Sequence, residues 1–386
     1  MRFPSTLGRQ LANRLAQINR SMPIRTRSKR ISESFPALEH TSNQRSTAGQ
    51  WTRILREYRT AQPTRAIWEL AITSTAFGLC WTLLLLAVET GQSWLYMLVL
   101  LPGAGFLVRL FMIQHDCGHG SFFPSRRSND WVGRIMGVLT LTPYYQWRRS
   151  HAIHHASAGN LDRRGIGDVL TLTVSEYLAR SRWGRLRYRL YRHPAVMFGL
   201  GPLYLFVLQN RVPVGFMQNG WRPWLSTMGT NTVILVLVAV MMSAAGVTAF
   251  TLIHVPLVLL AGGAGVWLFY VQHQFEQTHW AHGENWSAHE AALYGSSHYD
   301  LPKILRWITA NIGMHHVHHL SSRIPFYRLP EVLRDHAELR ILSRVTLWDS
   351  IRGLRLVLWD EKSRRLISFK TLRAYDGAEP VLSNRA

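Results

Sequence analysis

Eight histidines in this chain are spaced so that their side chains could bind metal ions. In an α-helix, residues three and four positions apart lie on the same face. Three segments show this spacing, and we name them the first, second and third histidine segments: residues 115–119 (HDCGH), 151–155 (HAIHH) and 315–319 (HHVHH). Their candidate ligands are His115, His119, His151, His154, His155, His315, His318 and His319. Imidazole is the commonest protein ligand for iron, copper and zinc, so these segments predict a metal site.

The number of candidate ligands indicates more than one metal ion. A tetrahedral site needs about four ligands, and the three segments supply twice as many. A ninth candidate, His273, directly follows an apolar stretch and should lie at the same depth as the others. His316 lies off the helix face that His315, His318 and His319 share, so we give it a lower weight. A purely structural role for these histidines does not account for the repeated ligand spacing.

Four long apolar stretches could position the histidine segments. Each has about the 17–25 residues that an α-helix needs to cross the hydrocarbon core of a bilayer. They are residues 70–88, 94–113, 232–250 and 255–271. We therefore expect an all-α membrane protein with four transmembrane helices in two hairpins. A helical cap beside the membrane would carry the metal site.

The basic residues indicate the orientation of these helices. The chain has 44 Lys and Arg against 22 Asp and Glu, a formal net charge of +22. Apart from Arg109, the basic residues lie before residue 70, between the two predicted hairpins, or after residue 271. The positive-inside rule then places both ends of the chain and the cap in the cytoplasm. This bias accounts for most of the charge, so we do not expect nucleic acid as a partner.

Composition divides the chain into three parts. Residues 1–65 are rich in Arg and Ser and predict a flexible basic tail. Residues 66–330 form the membrane domain with the histidine segments, and residues 331–386 extend the cytoplasmic cap. Arg109 lies one turn from the cytoplasmic end of its helix, where its side chain could extend to lipid headgroups.

The order of these features resembles the integral-membrane fatty acid desaturases. The histidine patterns HxxxH, HxxHH and HxxHH alternate with the two predicted hairpins over roughly residues 70–330. The phrases QHQFE, YGSSHYDLP and NIGMHHVHHLSSRIPFYRLP are similar to those of bacterial and plastid acyl-lipid desaturases of the delta-12 type. Histidine-rich hydroxylases, ketolases and alkane hydroxylases share the histidine patterns but match these phrases less well.

The resemblance implies an enzyme that uses O2 to insert a double bond into a fatty acyl chain carried by a lipid. It implies a non-haem di-iron centre held by the eight histidines of the three segments, with His273 matching a further family histidine. In the acyl-CoA desaturases an Asn one turn before that histidine helps through a water, whereas this chain has Phe269. Carboxylates such as Asp116 and Glu276 could orient the imidazole rings.

The electrons for such a reaction would have to come from another protein. The sequence contains no haem-binding HPGG segment, no Gly-rich dinucleotide fingerprint and no cysteine set for an iron–sulfur cluster. We therefore expect an external donor, such as a ferredoxin-like carrier. The basic run at residues 180–192 could bind an acidic partner, although a surface helix that faces lipid headgroups accounts for it better.

A metal or proton transporter is the alternative class of protein. A transporter should carry ionisable groups near the middle of its helices, and the four predicted spans contain no His, Asp, Glu or Lys. This favours an enzyme at the membrane surface. We expect it in a bacterial inner membrane, with a plastid membrane as the alternative because the Arg-rich and Ser-rich start of the chain also fits a transit peptide.

Overall fold

A computed structural model describes residues 50–378, with side chains up to residue 373. The α-helices of five or more residues after residue 60 are, in chain order, α1 (Pro63–Glu89), α2 (Ser93–His119), α3 (Arg126–Leu139), α4 (Tyr144–Ser157), α5 (Val174–Leu178), α6 (Arg182–Tyr191), α7 (Trp221–Ala245), α8 (Val247–His273), α9 (Ala288–Leu293), α10 (Lys303–Ile308), α11 (His315–Leu320), α12 (Leu329–Asp335), α13 (Leu347–Gly353) and α14 (Phe369–Ala378). Shorter or irregular helical segments lie at Leu55–Arg59, Val196–Leu200, Gly201–Leu203, Tyr204–Leu208, Gln209–Arg211 and Ala337–Arg340. The strands are β1 (Leu172–Thr173), β2 (His298–Tyr299), β3 (Arg344–Val345), β4 (Leu358–Asp360) and β5 (Arg365–Ile367). Most of the described chain is therefore helical.

Four of the described helices, α1, α2, α7 and α8, are long and apolar enough to cross a membrane. This confirms the prediction of a helical membrane protein with four spans. The apolar stretches 232–250 and 255–271 predict a turn at residues 251–254, and this was wrong, because the break between α7 and α8 falls at Gly246. Gly246 has a φ of +79°, a backbone conformation that residues with a Cβ atom disfavour. Hydropathy does not reveal such a break. As a result His254 lies inside α8.

The short strands were not expected in an all-α protein. β1 is parallel to β4, β4 is antiparallel to β5, and β2 is parallel to β3. Each strand has only two or three residues, so it shows no readable alternation of apolar and polar side chains. These pairings join the segments after α4 and α9 to the C-terminal part of the described chain.

The largest buried core packs along α1, α2 and α8 and continues around the histidine segments. It contains Leu84 of α1, Ile113 of α2 and Leu268 of α8. Gly103 lets α2 approach α8 closely, because a Cβ at that position would lie 2.9 Å from Cδ2 of Leu257. Both helices end at a candidate metal ligand, so this core fixes two of the ligand-bearing helices against each other.

Residues 50–62 pack against the segment that follows the third histidine segment. Nε of Arg59 donates a hydrogen bond to Oγ of Ser321 at 2.8 Å. The backbone N–H of Gln62 donates to the hydroxyl of Tyr327 at 3.0 Å. The packed part of the chain thus includes residues that the sequence analysis assigns to the tail. The rest of that tail lies outside the described residues.

Arg109 does not extend to the lipid headgroups as predicted. Its side chain is only 1% exposed, and it forms an ion pair with Glu69 of α1. Nε donates to Oγ1 of Thr73 at 3.1 Å, and Nη1 donates to the carbonyl of Trp307. The guanidinium lies over the rings of Trp307 and Phe326, at 4.3 and 5.2 Å from their centroids. The prediction failed because Glu69, just outside the predicted span, supplies a partner inside the protein.

We predict that Arg109→Met destabilises the protein more than Arg109→Met combined with Glu69→Gln. Removing one partner of a buried ion pair typically costs about 3–5 kcal/mol. In Arg109→Met the buried carboxylate of Glu69 would keep only Arg65, whose side chain is half exposed, as its partner. Neutralising both groups removes that charge. Thermal unfolding in detergent measures the difference, with Arg127→Met on the exposed side of α3 as a control. An Arg109→Met variant as stable as the control would contradict this role.

Candidate metal centre

The three histidine segments lie where their helices meet. His115 and His119 are in the last two turns of α2, and residues 151–155 are in the last two turns of α4. Residues 315–319 form most of the short helix α11. His273 is the last residue of α8. Four helices thus supply the candidate ligands.

The ring nitrogens of the nine candidates form two groups among the described residues. In each group the possible ligand atoms lie within 4.8 Å of one another. The first group is His115, His119, His151, His155 and His318. The second group is His154, His273, His315 and His319. The structure therefore brings together every histidine to which the sequence analysis gave a ligand role, and each of the three segments except the first contributes to both groups.

Neighbouring rings in each group are spaced as ligands of one ion would be. Nε2 of His115 lies 3.0 Å from Nε2 of His151 in the first group, and Nε2 of His154 lies 3.1 Å from Nε2 of His273 in the second. Two nitrogens about 2.1 Å from one ion and at right angles are separated by about 3.0 Å, whereas a tetrahedral angle gives about 3.4 Å. Both separations are short enough for the two nitrogens of each pair to bind one ion.

Two carboxylates orient rings of the centre. Oδ1 of Asp116 lies 3.0 Å from Nδ1 of His115, and Oδ1 of Asp168 lies 2.5 Å from Nδ1 of His154. An Nδ1–H that donates to a carboxylate leaves Nε2 available for a metal ion. Glu276, the other carboxylate suggested by the sequence, is exposed. Asp168, and not Glu276, is the second carboxylate that contacts a histidine ring of the centre. It lies in a loop, so helical spacing could not indicate it.

Asp116 also connects the first histidine segment to the chain around the third. Its Oδ2 accepts a hydrogen bond from the backbone N–H of Phe326 at 2.6 Å. The carbonyl of Phe326 accepts one from Nδ2 of Asn311, at 3.1 Å, just before α11. The ring of Phe326 lies under the guanidinium of Arg109. Phe326, which follows α11 in the chain, is therefore hydrogen-bonded to the carboxylate that orients His115.

Burial keeps five candidate ligands of the second and third segments uncharged. Desolvation is the first cause that lowers the pKa of these histidines well below the ordinary 6.5: His151, His155, His315, His318 and His319. A neutral imidazole has a free electron pair for a metal ion, so these rings can bind metal at neutral pH.

His273 and His316 illustrate the difference between a candidate ligand and a structural histidine. Nδ1 of His273 donates to the carbonyl of Gly295 at 3.2 Å, so its Nε2 faces the second group. Nε2 of His316 instead contacts the carbonyl of Leu339 at 2.8 Å, and His316 belongs to neither group. Phe269, one turn before His273, places its ring centroid 5.5 Å from that imidazole. Phenyl carbon cannot hold a water by hydrogen bonding as an Asn would.

An apolar cavity of about 710 Å³ reaches the histidines. His115, His151 and His315 form part of its wall, so both groups border it. Most of the other lining side chains are apolar and come from α2, α8 and residues 196–210. A cavity of this size and character is typical of a binding site for an apolar small molecule. A hydrocarbon chain could therefore lie directly against the two groups.

We predict that His318→Ala loses bound metal and that His316→Ala retains it. His318 supplies a nitrogen 3.0 Å from Nε2 of His155 in the first group, whereas the nitrogen of His316 contacts a backbone carbonyl. Elemental analysis of the purified membrane-inserted variants measures the metal content. The two histidines are close in sequence and equally buried, so His316→Ala is a matched control. Equal losses would mean that the division into ligand and structural histidines is wrong.

Comparisons of the sequence with known proteins show which family the chain is similar to. A family model described as fatty acid desaturase matches residues 92–350. A fatty acid desaturase of Bacillus subtilis is 47% identical over 300 residues, which are 77% of this chain and 83% of that protein. An sn-1 acyl-lipid omega-3 desaturase (ferredoxin) of Synechocystis is 30% identical over 240 residues, 57% of this chain and 61% of that protein. An sn-1 oleoyl-lipid 12-desaturase of Synechocystis is 28% identical over 254 residues, 61% of this chain and 65% of that protein. The chain belongs to the fatty acid desaturase family, which the order of its histidine segments had indicated.

Proposed function

We propose that this protein uses O2 to introduce a double bond into a fatty acyl chain of a membrane lipid, at two irons held by the nine histidines. The observation that carries the proposal is the apolar cavity, whose wall includes His115, His151 and His315. It places a space suited to a hydrocarbon beside both groups of candidate ligands. The fatty acid desaturase family supplies the class of reaction.

The chemistry of the two groups fits iron. Imidazole nitrogen is a preferred ligand for iron, and the separations between Nε2 atoms match ligands around a shared ion. Nε2 of His119 is buried and has no hydrogen-bond partner in the described structure, as expected of a nitrogen whose electron pair binds a metal. Two bound irons would activate O2 to an oxidant strong enough to remove hydrogen from an unactivated methylene group.

The chain itself holds the ligands, positions the acyl chain and excludes water. Asp116 and Asp168 accept hydrogen bonds from His115 and His154 and so keep those rings oriented. Apolar side chains such as Phe269 line the cavity beside the histidines and offer no hydrogen bonds to ordered water. Methylene groups can therefore approach the centre while bulk water stays outside.

Desaturation fits the comparisons better than hydroxylation or ketone formation, the related reactions that similar histidine patterns serve. Each of the three relatives described above is named as a desaturase. The two Synechocystis proteins are named for acyl chains at the sn-1 position of a lipid. We infer a lipid carrier here as well, because the cavity lies between the membrane-crossing helices α2 and α8. An acyl chain can enter it from the bilayer without crossing water.

The electron donor is proposed to be an external ferredoxin-like protein. One Synechocystis relative carries ferredoxin in its name. On α6, Arg182 and Arg187 are exposed and could attract an acidic carrier. Arg189 is exposed too, although its Nε donates to the hydroxyl of Tyr177 at 2.7 Å and its guanidinium lies over the ring of Phe369.

Reconstitution tests the proposed reaction. Purified protein supplied with iron, in vesicles of saturated lipid, should form unsaturated acyl chains only when O2 and a reduced ferredoxin are both present. Mass spectrometry of the lipids detects the product, and His318→Ala should form none. Salt should slow the reduction step if a charged surface binds the donor. Hydroxylated lipid as the product would contradict desaturation, and no oxidised product from the complete mixture would contradict the whole proposal.

We further propose that both ends of this chain and the histidines face the cytoplasm at a bacterial inner membrane, with a plastid membrane as the alternative. The positive-inside rule and the placement of the basic residues support this orientation. Three residues join α1 to α2, and Gly246 alone joins α7 to α8. These two short connections would lie on the opposite side of the membrane.

Cysteine labelling checks this orientation. We expect Gln92→Cys and Val247→Cys to react with a membrane-impermeant reagent added outside intact cells, because both positions are exposed at the short connections. Lys362→Cys should react only after lysis. The native Cys80 and Cys117 are buried, so they should contribute little background. Labelling of Lys362→Cys in intact cells would overturn the proposed orientation.

A further inference from the structure

Gly265 of α8 faces the cavity, although no packing contact requires a glycine there. A Cβ added at Gly265 would have no other atom within 4 Å, and the residue is part of the cavity wall. Glycine in the interior of a helix typically costs about 1 kcal/mol relative to alanine. The open space beside Gly265 therefore belongs to the cavity and is not taken up by a neighbouring helix.

Two other glycines on the same helix are explained by packing. A Cβ at Gly262 would lie 3.0 Å from Cβ of Pro202, and a Cβ at Gly263 would lie 2.8 Å from the carbonyl oxygen of Phe198. These glycines let residues 196–208 approach α8 closely. Gly265 has no such neighbour, so helix packing does not explain a glycine at this position.

The position of Gly265 relative to the histidines follows from the helix geometry. Gly265 lies midway along α8 between Leu257 and His273, about 12 Å along the axis from His273 at the usual helical rise. Leu257 contacts Gly103 of α2, and both helices run toward the histidines. On α2, Phe111 lies as far beyond Gly103 as Gly265 lies beyond Leu257 on α8, and Phe111 also lines the cavity. Gly265 and Phe111 are therefore at about the same level.

The walls that α2 and α8 give this part of the cavity are apolar and suit the hydrocarbon end of a substrate. Leu107, Val258 and Val266 line it on α2 and α8. A polar lipid headgroup or ester would lose its hydrogen bonds to water there, which costs several kcal/mol. The methyl end of an acyl chain that passes the histidines must therefore point along α8 toward the level of Gly265 and beyond.

We propose that the space at Gly265 sets how much of the acyl chain fits between the histidines and its methyl end. Gly265 would then help to determine which chain lengths are accepted and where along the chain the double bond is placed. This inference rests on the proposed function, because it requires an acyl chain in the cavity. Side chains at this position would fill the space in proportion to their size.

The test compares Gly265→Ala and Gly265→Leu with wild type and with Gly78→Leu. Gly78 lies in α1, is exposed on the outside of the protein, and also has no atom within 4 Å of an added Cβ, so it is a matched control. A host that produces each protein is given saturated acyl chains of several even lengths, and product length and double-bond position are measured by mass spectrometry. In Gly265→Leu the ratio of short-chain to long-chain product should rise about 10-fold or more, since removing room for a methylene typically changes selectivity by that much. Gly265→Ala should shift the ratio in the same direction by less, and Gly78→Leu should match wild type.

An unchanged product ratio and double-bond position in Gly265→Leu would overturn the inference, and so would an equal shift in Gly78→Leu. If Gly265→Leu does not accumulate in the membrane, Gly265→Ala decides the question by the same criterion. Failure of the proposed function has a different signature, because wild type itself would then form no unsaturated product. Active wild type with unaltered selectivity in the variants overturns only the role of Gly265.

Discussion

Nine imidazoles direct ring nitrogens into two small volumes, and electron pairs that face each other at 3.0–3.1 Å repel unless a cation or a proton lies between them. For His151, His155, His315, His318 and His319 burial removes the simplest remedy, since desolvation disfavours protonation of their rings. Without a metal ion these rings would move apart unless the surrounding structure held them in place. The packed core around α2 and α8 and the short helix α11 are organised to do this.

The restraint is carried by buried charges as much as by apolar packing. Asp116 contacts His115 with one oxygen and the backbone of Phe326 with the other. Phe326 in turn lies against Arg109, whose charge is balanced by Glu69. Buried ion pairs are a weak source of stability but fix geometry, because any other arrangement leaves a charge without its partner. Here the pair joins two membrane-crossing helices to the chain that follows the third histidine segment.

The candidate ligands could be predicted from the sequence because helical spacing places them on one face, and the prediction needs only local information. Asp168 could not be found in this way, since it reaches His154 from a loop whose path depends on the tertiary fold. Arg109 was misjudged for the same reason, because its partner Glu69 is on another helix. The end of α7 was misplaced because hydropathy averages over many residues, whereas the break depends on the φ angle of Gly246.

One helix contributes to both the metal centre and the cavity. α8 ends at His273 and, over the preceding turns, presents Gly265 and Phe269 to the cavity. Because a helix is rigid over this length, the distance between the ligand and the cavity wall cannot vary as it would between two loops. Under the proposed function, side-chain size along α8 would then set the register of an acyl chain against the histidines. Under that proposal, proteins with the same histidines would differ in the position of the double bond through residues of α8 without any change of ligand.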